Sequence, residues 1–375
     1  MTDDVSDEGM PAPRANPDLI GHEAAEATLR GAYEADHLHH AWLISGPKGI
    51  GKATLAFRFA RYLLSIRGGD AGGGLFGGGL GDVDGAGAGA GQGLYVAPEN
   101  PVFQRIVAGG HTDLLTIERS ENDRGVLRSE IVVDDVRRTQ KFFNLTAGEG
   151  GWRIVIVDSA DEMNTNAANA LLKVLEEPPS QAMLLLVSHN PGRLLPTIRS
   201  RCQKLRLAGL ESAAVAAHLS RWAPEISTAD AHMVSVLAEG SIGRGLELIE
   251  TGGVGVFGEI FDLMDALPAL DVPALHGFAS KCAAKKGTDT FATAADLLRW
   301  SLARLVKQAG GDTGQDLTDR EQALFARIGP AASLDRWLHV WEKVDDILAS
   351  AERANLDRKQ VILNAFSTVA QVVHS

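Results

Sequence analysis

The sequence predicts an α/β protein in which a parallel-sheet domain of the P-loop nucleotide-binding type is followed by helices. Short apolar runs typical of buried strands alternate with helical patterns as far as residue 208. A glycine-rich turn with a lysine follows the first of these strands and begins a helix, as a phosphate-binding loop requires. Beyond Leu210 the alternation ends, and the spacing of apolar residues is helical to the end of the chain.

The first predicted strand, Ala41–Ile44, leads into the glycine-rich turn, and a helix with Leu55, Phe59 and Leu63 on one face follows it. Glycines allow several backbone N–H groups to point at one anion, and the helix N-terminus adds partial positive charge. Lys52 is placed to reach the outer phosphates of a nucleotide. A glycine-rich turn without a ligand is the alternative. The predicted nucleotide-binding loop comprises Gly46, Pro47, Lys48, Gly49, Ile50, Gly51, Lys52, Ala53 and Thr54.

The loop departs from the pattern G-x-x-x-x-G-K-[ST] at its last position, which is Ala53. The hydroxyl normally found there is a ligand of Mg²⁺, and a methyl group cannot replace it. Thr54 is rotated by about 100° around the helix from that position, so we expect it to point elsewhere. The loop is therefore predicted to hold a nucleotide but to be poorly equipped to hydrolyse it.

A second buried strand, Arg153–Val157, ends in Asp158, a position that in such folds holds Mg²⁺ through a water molecule. A hydrolysing enzyme has a glutamate next, which orients the attacking water. Here the next residue is Ser159, and a neutral hydroxyl is a poor general base. Asp161 and Glu162 could replace the glutamate, but the sequence favours a role as acidic residues in the first turn of the next helix.

A third buried strand, Met183–Val187, is followed by Ser188. Ligands lie at the C-terminal edge of a parallel sheet, so Ser188 is a sensor-like candidate for contact with a γ-phosphate or a water molecule; a polar turn is the alternative. A short helical turn at Leu194–Arg199, the tripeptide Ser-Arg-Cys at 200–202 and a last strand at Gln203–Leu207 follow.

The apolar spacing at 334–348 is typical of a buried stripe, part of which could equally be a subunit contact. The predicted segments are a disordered tail at 1–17, a helix at Glu23–Ala35, a flexible glycine-rich insertion at 68–93, a strand at Asp113–Ile117, a helix from the N-cap Asp134 to Phe143, helices at Asn169–Glu177, Glu211–Ala223, Asp230–Glu239 and near Gly245–Glu250, and a hinge at Gly252–Gly255.

Composition restricts the class of protein further. The net charge of −12 argues against tight binding of nucleic acid by the chain alone. Two cysteines, Cys202 and Cys282, are too few for a four-cysteine zinc site, and a disulfide framework is not expected. The N-terminal residues lack the features of a signal peptide, and no apolar run is long enough to cross a bilayer, so the cytosol is the expected compartment.

With these elements placed, the sequence resembles a subunit of the AAA+ clamp loaders of bacterial DNA polymerase III. The resemblance rests on residues 46–54, the strand with its aspartate at Arg153–Asp158, the run Asn169–Pro179 and the tripeptide at 200–202. It implies three domains, of which the last, a helical collar, joins a five-subunit ring. These are an AAA+ domain at 18–208 with the insertion at 68–93, a helical lid at 209–253 and a helical collar at 254–375.

The resemblance also implies a role for Arg201, which matches the arginine finger of the family. Such a guanidinium can pair with phosphate oxygens at the ATP site of a neighbouring subunit. A local ion pair that stabilises the loop is the alternative. The implied partners are gamma/tau and delta subunits, a sliding clamp and, through the complex, primed DNA, with no membrane.

Departures from the family's hydrolysing subunits are Ala53, Ser159 and Arg244, which stands one place late in the lid motif Gly-Ser-x-Arg. They predict a chain that is not catalytic by itself, within a polymerase holoenzyme whose ATPase activity lies in partner subunits. ATP or ADP with Mg²⁺ would be bound weakly or as a vestige. No cysteine lies at 68–93, where many relatives carry a zinc module, so no zinc is expected.

Two alternative functions stay open on the sequence. One is a motor subunit of the clamp loader that hydrolyses ATP, with Thr54 and Asp161 as replacements for the missing groups. The other is a free-standing P-loop protein, either DNA-binding or kinase-like. The acidic balance of the chain counts against the DNA-binding form.

Overall fold

The computed structural model describes residues 10–68, 93–145, 148, 151–284, 290–312, 318–354 and 356–374. Contacts between residues divide the chain into two units, Met1–Glu211 and Ser212–Ser375. The first unit contains a five-stranded parallel sheet with helices, and the described elements of the second are all helices. The predicted fold class, a parallel-sheet domain followed by helices, is confirmed.

The strands are β1 (Ala41–Ser45), β2 (Leu114–Ile117), β3 (Arg153–Val157), β4 (Ala182–Ser188) and β5 (Gln203–Arg206). Their order in the sheet is β2-β3-β4-β1-β5, and all neighbours are parallel. Every residue of the central strand β4 is buried, as its continuous apolar sequence requires. Pairing of Ser45 with Ser188 and of Val157 with Leu186 brings the C-terminal ends of β1, β3 and β4 to one edge.

Helices cover both faces of this sheet. They are α1 (Glu23–Glu34), α2 (Lys52–Gly68), α3 (Pro101–Val107), α4 (Val133–Asn144), α5 (Thr165–Glu176) and the short α6 (Pro196–Arg199). Side chains of a strand alternate between faces. Ile154 and Ile156 of β3 therefore pack in one core with α1, α2 and α3, whereas Val155 and Val157 pack in a second core with α4 and α5.

Two local predictions in this unit need correction. Asp134 is not the N-cap of α4, which begins at Val133; instead Asp135 in the first turn accepts a hydrogen bond from the N–H of Val132 at 3.1 Å. The helix α3 had not been predicted at all. Its signal was present in the sequence, because Asn100 precedes a proline at the first helical position and its side chain accepts from the N–H of Val102 at 2.8 Å.

Residues 10–17 of the predicted disordered tail are ordered, because two buried arginines of α2 use their carbonyl groups as acceptors. Arg61, which is 1% exposed, donates to the carbonyl oxygens of Arg14 at 3.1 Å and Asn16 at 2.7 Å. Arg58 donates to the carbonyl of Pro17 and forms a buried ion pair with Glu26 at 2.6 Å. Residues 1–9 of that tail, and 69–92 of the predicted insertion, lie outside the described residues.

The second unit contains α7 (Ser212–Trp222), α8 (Thr228–Leu237), α9 (Ile242–Glu250), α10 (Gly253–Asp265), α11 (Val272–Ala283), α12 (Thr290–Ala309), α13 (Asp319–Ile328), α14 (Leu334–Ala354) and α15 (Arg358–Val373). The hinge predicted at Gly252–Gly255 is wrong in extent, because α10 already begins at Gly253. The chain turns at Gly252, whose φ is 68°. The finer domain limits at 208/209 and 253/254 stay predictions.

The apolar stripe of α14 divides between the interior and the surface. Trp337, Val344 and Leu348 are buried, whereas Leu334 and Leu338 are 44% and 42% exposed. None of the helices in the described ranges combines the length and apolar content needed to cross a membrane.

We predict that Arg61→Met, which keeps the length of the side chain but removes its donors, lowers the free energy of unfolding by about 2 kcal/mol. The reason is that the buried carbonyl oxygens of Arg14 and Asn16 lose their partner. Urea denaturation measures the loss, and amide exchange at residues 10–17 should become faster. The matched control is Arg30→Met, which removes only an exposed ion pair with Glu34 and should change stability little. Equal losses in both variants would contradict this role for Arg61.

Candidate functional site

The glycine-rich loop follows β1 and packs against Leu207, the residue directly after β5. A Cβ atom at Gly46 would lie 2.4 Å from the carbonyl oxygen of Leu207 and 2.8 Å from Cδ1 of Ile50, so no larger residue fits there. Gly51 has a φ of 97°, which L side chains rarely adopt. The N–H of Gly46 also donates to the carbonyl of Ser188 at 3.3 Å, which ties the loop to the end of β4. The turn is therefore a tightly built feature of the fold.

Lys52 begins α2 and is 2% exposed, which is unusual for a lysine. Its ammonium group donates a hydrogen bond to the carbonyl oxygen of Pro47 within the loop. Burial lowers the pKa of Lys52 to about 8, against the opposing effect of the carboxylates of Asp161 and Asp158. A cation held in a loop at the start of a helix fits a polyanion such as the phosphates of a nucleotide.

Asp158 follows β3 directly, where the sequence predicted it. Burial, together with the carboxylate of Glu118, raises the pKa of Asp158, although the N–H of Ser159 and the charge of Lys52 oppose the rise. The interaction with Lys52 places the two groups at the same end of the sheet. A carboxylate here fits the role of a Mg²⁺ partner through water, which stays a prediction.

The position after Asp158 carries no acid. Ser159 adopts a left-handed backbone conformation with a φ of 61°, and its hydroxyl lies 3.2 Å from Nε2 of His189. The sequence reasoning did not foresee a contact between His189 and Ser159. Burial lowers the pKa of His189, and the charges of Lys52 and Lys48 lower it further, against the effect of Asp161. The structure therefore replaces the water-orienting acid with a hydroxyl held by a histidine ring.

The carboxylate of Asp161 is hydrogen-bonded to the backbone of the segment after β4. Its carboxylate accepts hydrogen bonds from the N–H groups of His189 at 2.8 Å and Asn190 at 3.1 Å. Burial alone would raise the pKa of Asp161, but the hydrogen bond from the N–H of His189 and the nearby hydroxyl dipole of Ser188 outweigh it, and the pKa is lowered. Glu162 is engaged as well, in an ion pair with Arg119 at 2.9 Å. Neither acid is free to replace the missing glutamate.

The other predicted residues of the loop and its surroundings differ in how far they are exposed to solvent. Pro47, Lys48 and Gly49 are exposed and Ile50 is buried. Ala53 is half-buried, and Thr54 is 4% exposed. Ser188 is fully buried at the end of β4 beside Asp161. Its sensor-like role stays a prediction.

Arg201 follows α6 and is held locally. One terminal nitrogen forms an ion pair with Glu176 at 2.8 Å, and the other donates to the carbonyl of Thr197 at 2.9 Å. The Arg201 side chain is 36% exposed and that of Glu176 49%. An ion pair this exposed contributes about 1 kcal/mol or less, so its partner can be exchanged for a phosphate at little cost. The local ion pair considered as the alternative is thus present, and it does not prevent the other role.

Two further residues singled out in the sequence are placed by their packing. Cys202 is buried beside Arg201, and burial raises the pKa of its thiol to about 12. Arg244 of α9 pairs within the second unit with Asp296 at 2.8 Å and Glu239 at 3.5 Å. The assignment of Arg244 as a displaced lid arginine stays a prediction.

Comparison with known proteins supports the resemblance. Residues 97–211 match the family model described as DNA polymerase III, delta subunit. Over 163 residues the chain is 42% identical to DNA polymerase III subunit delta' of Pseudomonas aeruginosa, covering 44% of this chain and 41% of the relative. It is 32% identical to subunit delta' of Escherichia coli over 226 residues, covering 59% of this chain and 58% of that one.

More distant matches include the gamma/tau subunit of Mycobacterium tuberculosis, 27% identical over 358 residues, with 88% of this chain and 57% of the relative covered. A solved structure of a gamma subunit-related protein from Thermotoga maritima aligns with a TM-score of 0.41 at 19% identity, covering 93% of this chain and 99% of that chain. The chain covers less than two thirds of the length of each delta' and gamma/tau relative. The resemblance to delta-prime subunits is confirmed.

We predict that the affinity for ADP falls as the pH rises through about 8. Below that pH Lys52 is charged in the free chain, and bound phosphates would hold the charge and raise its pKa further. Above it, binding must draw a proton onto the amine, which weakens affinity by up to about tenfold per pH unit. Calorimetric titration between about pH 7 and about pH 9.5 measures the slope. Lys52→Arg should abolish the slope, and a flat profile in the unmodified chain would contradict the prediction.

Proposed function

We propose that this chain is a delta-prime-like subunit of a clamp-loader complex, which helps to place a sliding clamp on primed DNA during replication and does not hydrolyse ATP itself. Its partners would be gamma/tau and delta subunits in a ring of five. The observation that carries the non-hydrolysing assignment is the hydrogen bond between Ser159 and His189 at the position where a motor subunit needs an acid. The delta' relatives support membership in the complex.

Binding and cleavage of a nucleotide need different groups, and this chain has those for binding. Lys52 and the N–H groups of the loop would hold the phosphates of ATP or ADP, and Asp158 would hold Mg²⁺ through water. The metal, when bound, would neutralise phosphate charge. Cleavage would require a base for water, yet Ser159 is neutral and the carboxylate of Asp161 is occupied by two backbone N–H groups.

The contribution to catalysis would be made across a subunit boundary by Arg201. Its planar guanidinium can pair with two phosphate oxygens at once, and it starts from an exposed ion pair with Glu176 that is easily exchanged. The partly exposed stripe of α14, with Leu334 and Leu338 on the surface, offers apolar contact area that suits a subunit interface.

A gamma/tau-like motor is the second candidate, because the Mycobacterium tuberculosis relative aligns with 88% of this chain. The engagement of Asp161 counts against it, since this carboxylate would have to replace the missing acid. A free-standing P-loop protein is the third candidate. Size-exclusion chromatography with gamma/tau and delta separates it from the first two, because a chain that stays alone is not a clamp-loader subunit.

The decisive activity measurement is steady-state ATP hydrolysis by the isolated chain and by the ring assembled with gamma/tau and delta. We expect no turnover by the isolated chain and normal turnover by the ring. Lys52→Ala is the matched control in both. Turnover by the isolated chain that disappears in Lys52→Ala would establish the motor instead.

We further predict that Arg201→Ala leaves the ring intact but slows DNA-stimulated hydrolysis at the one ATP site that it serves, by about 10³-fold. The exposed Arg193 of the same segment provides the matched control, and Arg193→Ala should have no effect. Glu176→Ala removes the local ion pair while keeping the guanidinium, so it should change the rate little. A loss in Glu176→Ala as large as that in Arg201→Ala would show that the ion pair, rather than an arginine finger, matters.

A further inference from the structure

The geometry points to a second anion site in the first unit: a cavity beside the edge strand β2 that binds the phosphate group of a nucleotide, either free or within a nucleic acid strand. The cavity has a volume of about 310 Å³. Three arginines line it, Arg14, Arg119 and Arg138, and its apolar lining includes Ile106 and Leu114. None of the residues that line it belongs to the loop at 46–54.

The charge of this cavity is opposite to that of the chain. The three arginines come from three separate segments: Arg14 from the residues before α1, Arg119 from the residues after β2, and Arg138 from α4. Glu118 is the one carboxylate among the residues lining the cavity. In a chain with a net charge of −12, such a local excess of cations favours an anionic ligand.

Arg14 is held in place by buried structure. Its carbonyl oxygen accepts from the guanidinium of Arg61, which is 1% exposed. Gly109, with a φ of 69°, lies against it, since a Cβ atom there would be 4.0 Å from Nη1 of Arg14. The ion pair between Arg14 and Glu118 spans 3.5 Å, which exceeds a normal hydrogen-bond distance. Arg14 therefore retains donors for a ligand.

The other two arginines differ in how they are held. Nε of Arg119 lies 2.9 Å from a carboxylate oxygen of Glu162, and this ion pair fixes the direction of its side chain. Arg138 is exposed, and no ion pair joins it to another residue in the described part of the chain. One anchored guanidinium group, that of Arg119, and two adaptable ones, those of Arg14 and Arg138, are thus arranged around a single cavity.

The chemistry of the lining identifies the ligand class. Guanidinium groups match the oxygen geometry of phosphate, with two parallel hydrogen bonds each. A volume of about 310 Å³ is near the lower limit of small-molecule sites, which suits one nucleotide unit rather than a folded partner. The partly exposed apolar side chains of Leu114 and Leu115 line the same cavity and offer a surface for the flat base or the sugar.

The test uses the full chain carrying Lys52→Ala, so that the loop at 46–54 does not contribute. Binding of AMP and of a fluorescent oligothymidylate is compared in that chain and after adding Arg138→Ala or Arg137→Ala. Arg137 is the matched control: it is the neighbouring exposed arginine of α4, it pairs with Asp134 at 2.9 Å, and it does not line the cavity.

We expect Arg138→Ala to weaken binding of at least one probe by about tenfold, and Arg137→Ala to leave it unchanged. Loss for AMP but not for the oligonucleotide identifies a free nucleotide as the ligand. If Arg138→Ala weakens binding of the oligonucleotide, the slope of log affinity against log salt concentration should fall in magnitude by about one, as expected for one lost phosphate contact. That outcome identifies a nucleic acid strand as the ligand. Adenosine, which lacks the phosphate, should not bind.

The site is rejected if neither probe binds, or if Arg137→Ala and Arg138→Ala reduce binding equally. Because no partner subunit is present, this result is independent of whether the chain assembles into a clamp loader. Melting temperatures of the two variants, which we expect to be equal, exclude misfolding as the cause of a difference.

Discussion

The burial of the Lys52 ammonium is the constraint on which the candidate nucleotide site depends. This burial requires the loop before α2 to close tightly. The closed loop in turn requires glycine at residue 46, because the carbonyl of Leu207 leaves no room for a side chain there. Burial also lowers the pKa of the lysine to about 8, so the cation is held at a cost that an anionic ligand would relieve. The loop that encloses the Lys52 ammonium is therefore held by contacts of Gly46 with Ser188 of β4 and with Leu207, which follows β5.

We propose that the groups around this cation bind a nucleotide and do not cleave it. At the end of β3 a serine and a histidine are joined where a water-orienting acid would be required. The carboxylate of Asp161 is used to fix the backbone after β4. In the proposed ring, a subunit without cleavage groups can still contribute to hydrolysis if it provides a cation to the ATP site of a neighbouring subunit. Arg201, with its exchangeable ion pair, has the chemistry for that role.

Local patterns sufficed to predict much of the fold, because apolar runs bounded by turns define buried strands. The strand Arg153–Val157 was predicted with its observed limits, and the loop, Asp158 and Ser188 were located on the elements that carry them. The contact between Ser159 and His189 could not be foreseen, since it joins residues 30 apart through the neighbouring positions of β3 and β4. Residues 10–17 looked disordered because their stability comes from Arg58 and Arg61 on another segment.

We propose that this chain keeps the groups that hold a nucleotide, lacks those that cleave it, and provides a cation to an adjoining subunit. The most direct measurement is a structure of the complete ring with an ATP analogue bound. We predict that the guanidinium of Arg201 has left Glu176 and lies within hydrogen-bond distance of the phosphates in a neighbouring gamma/tau subunit. A guanidinium that stays on Glu176, far from any neighbouring nucleotide, would contradict the claim.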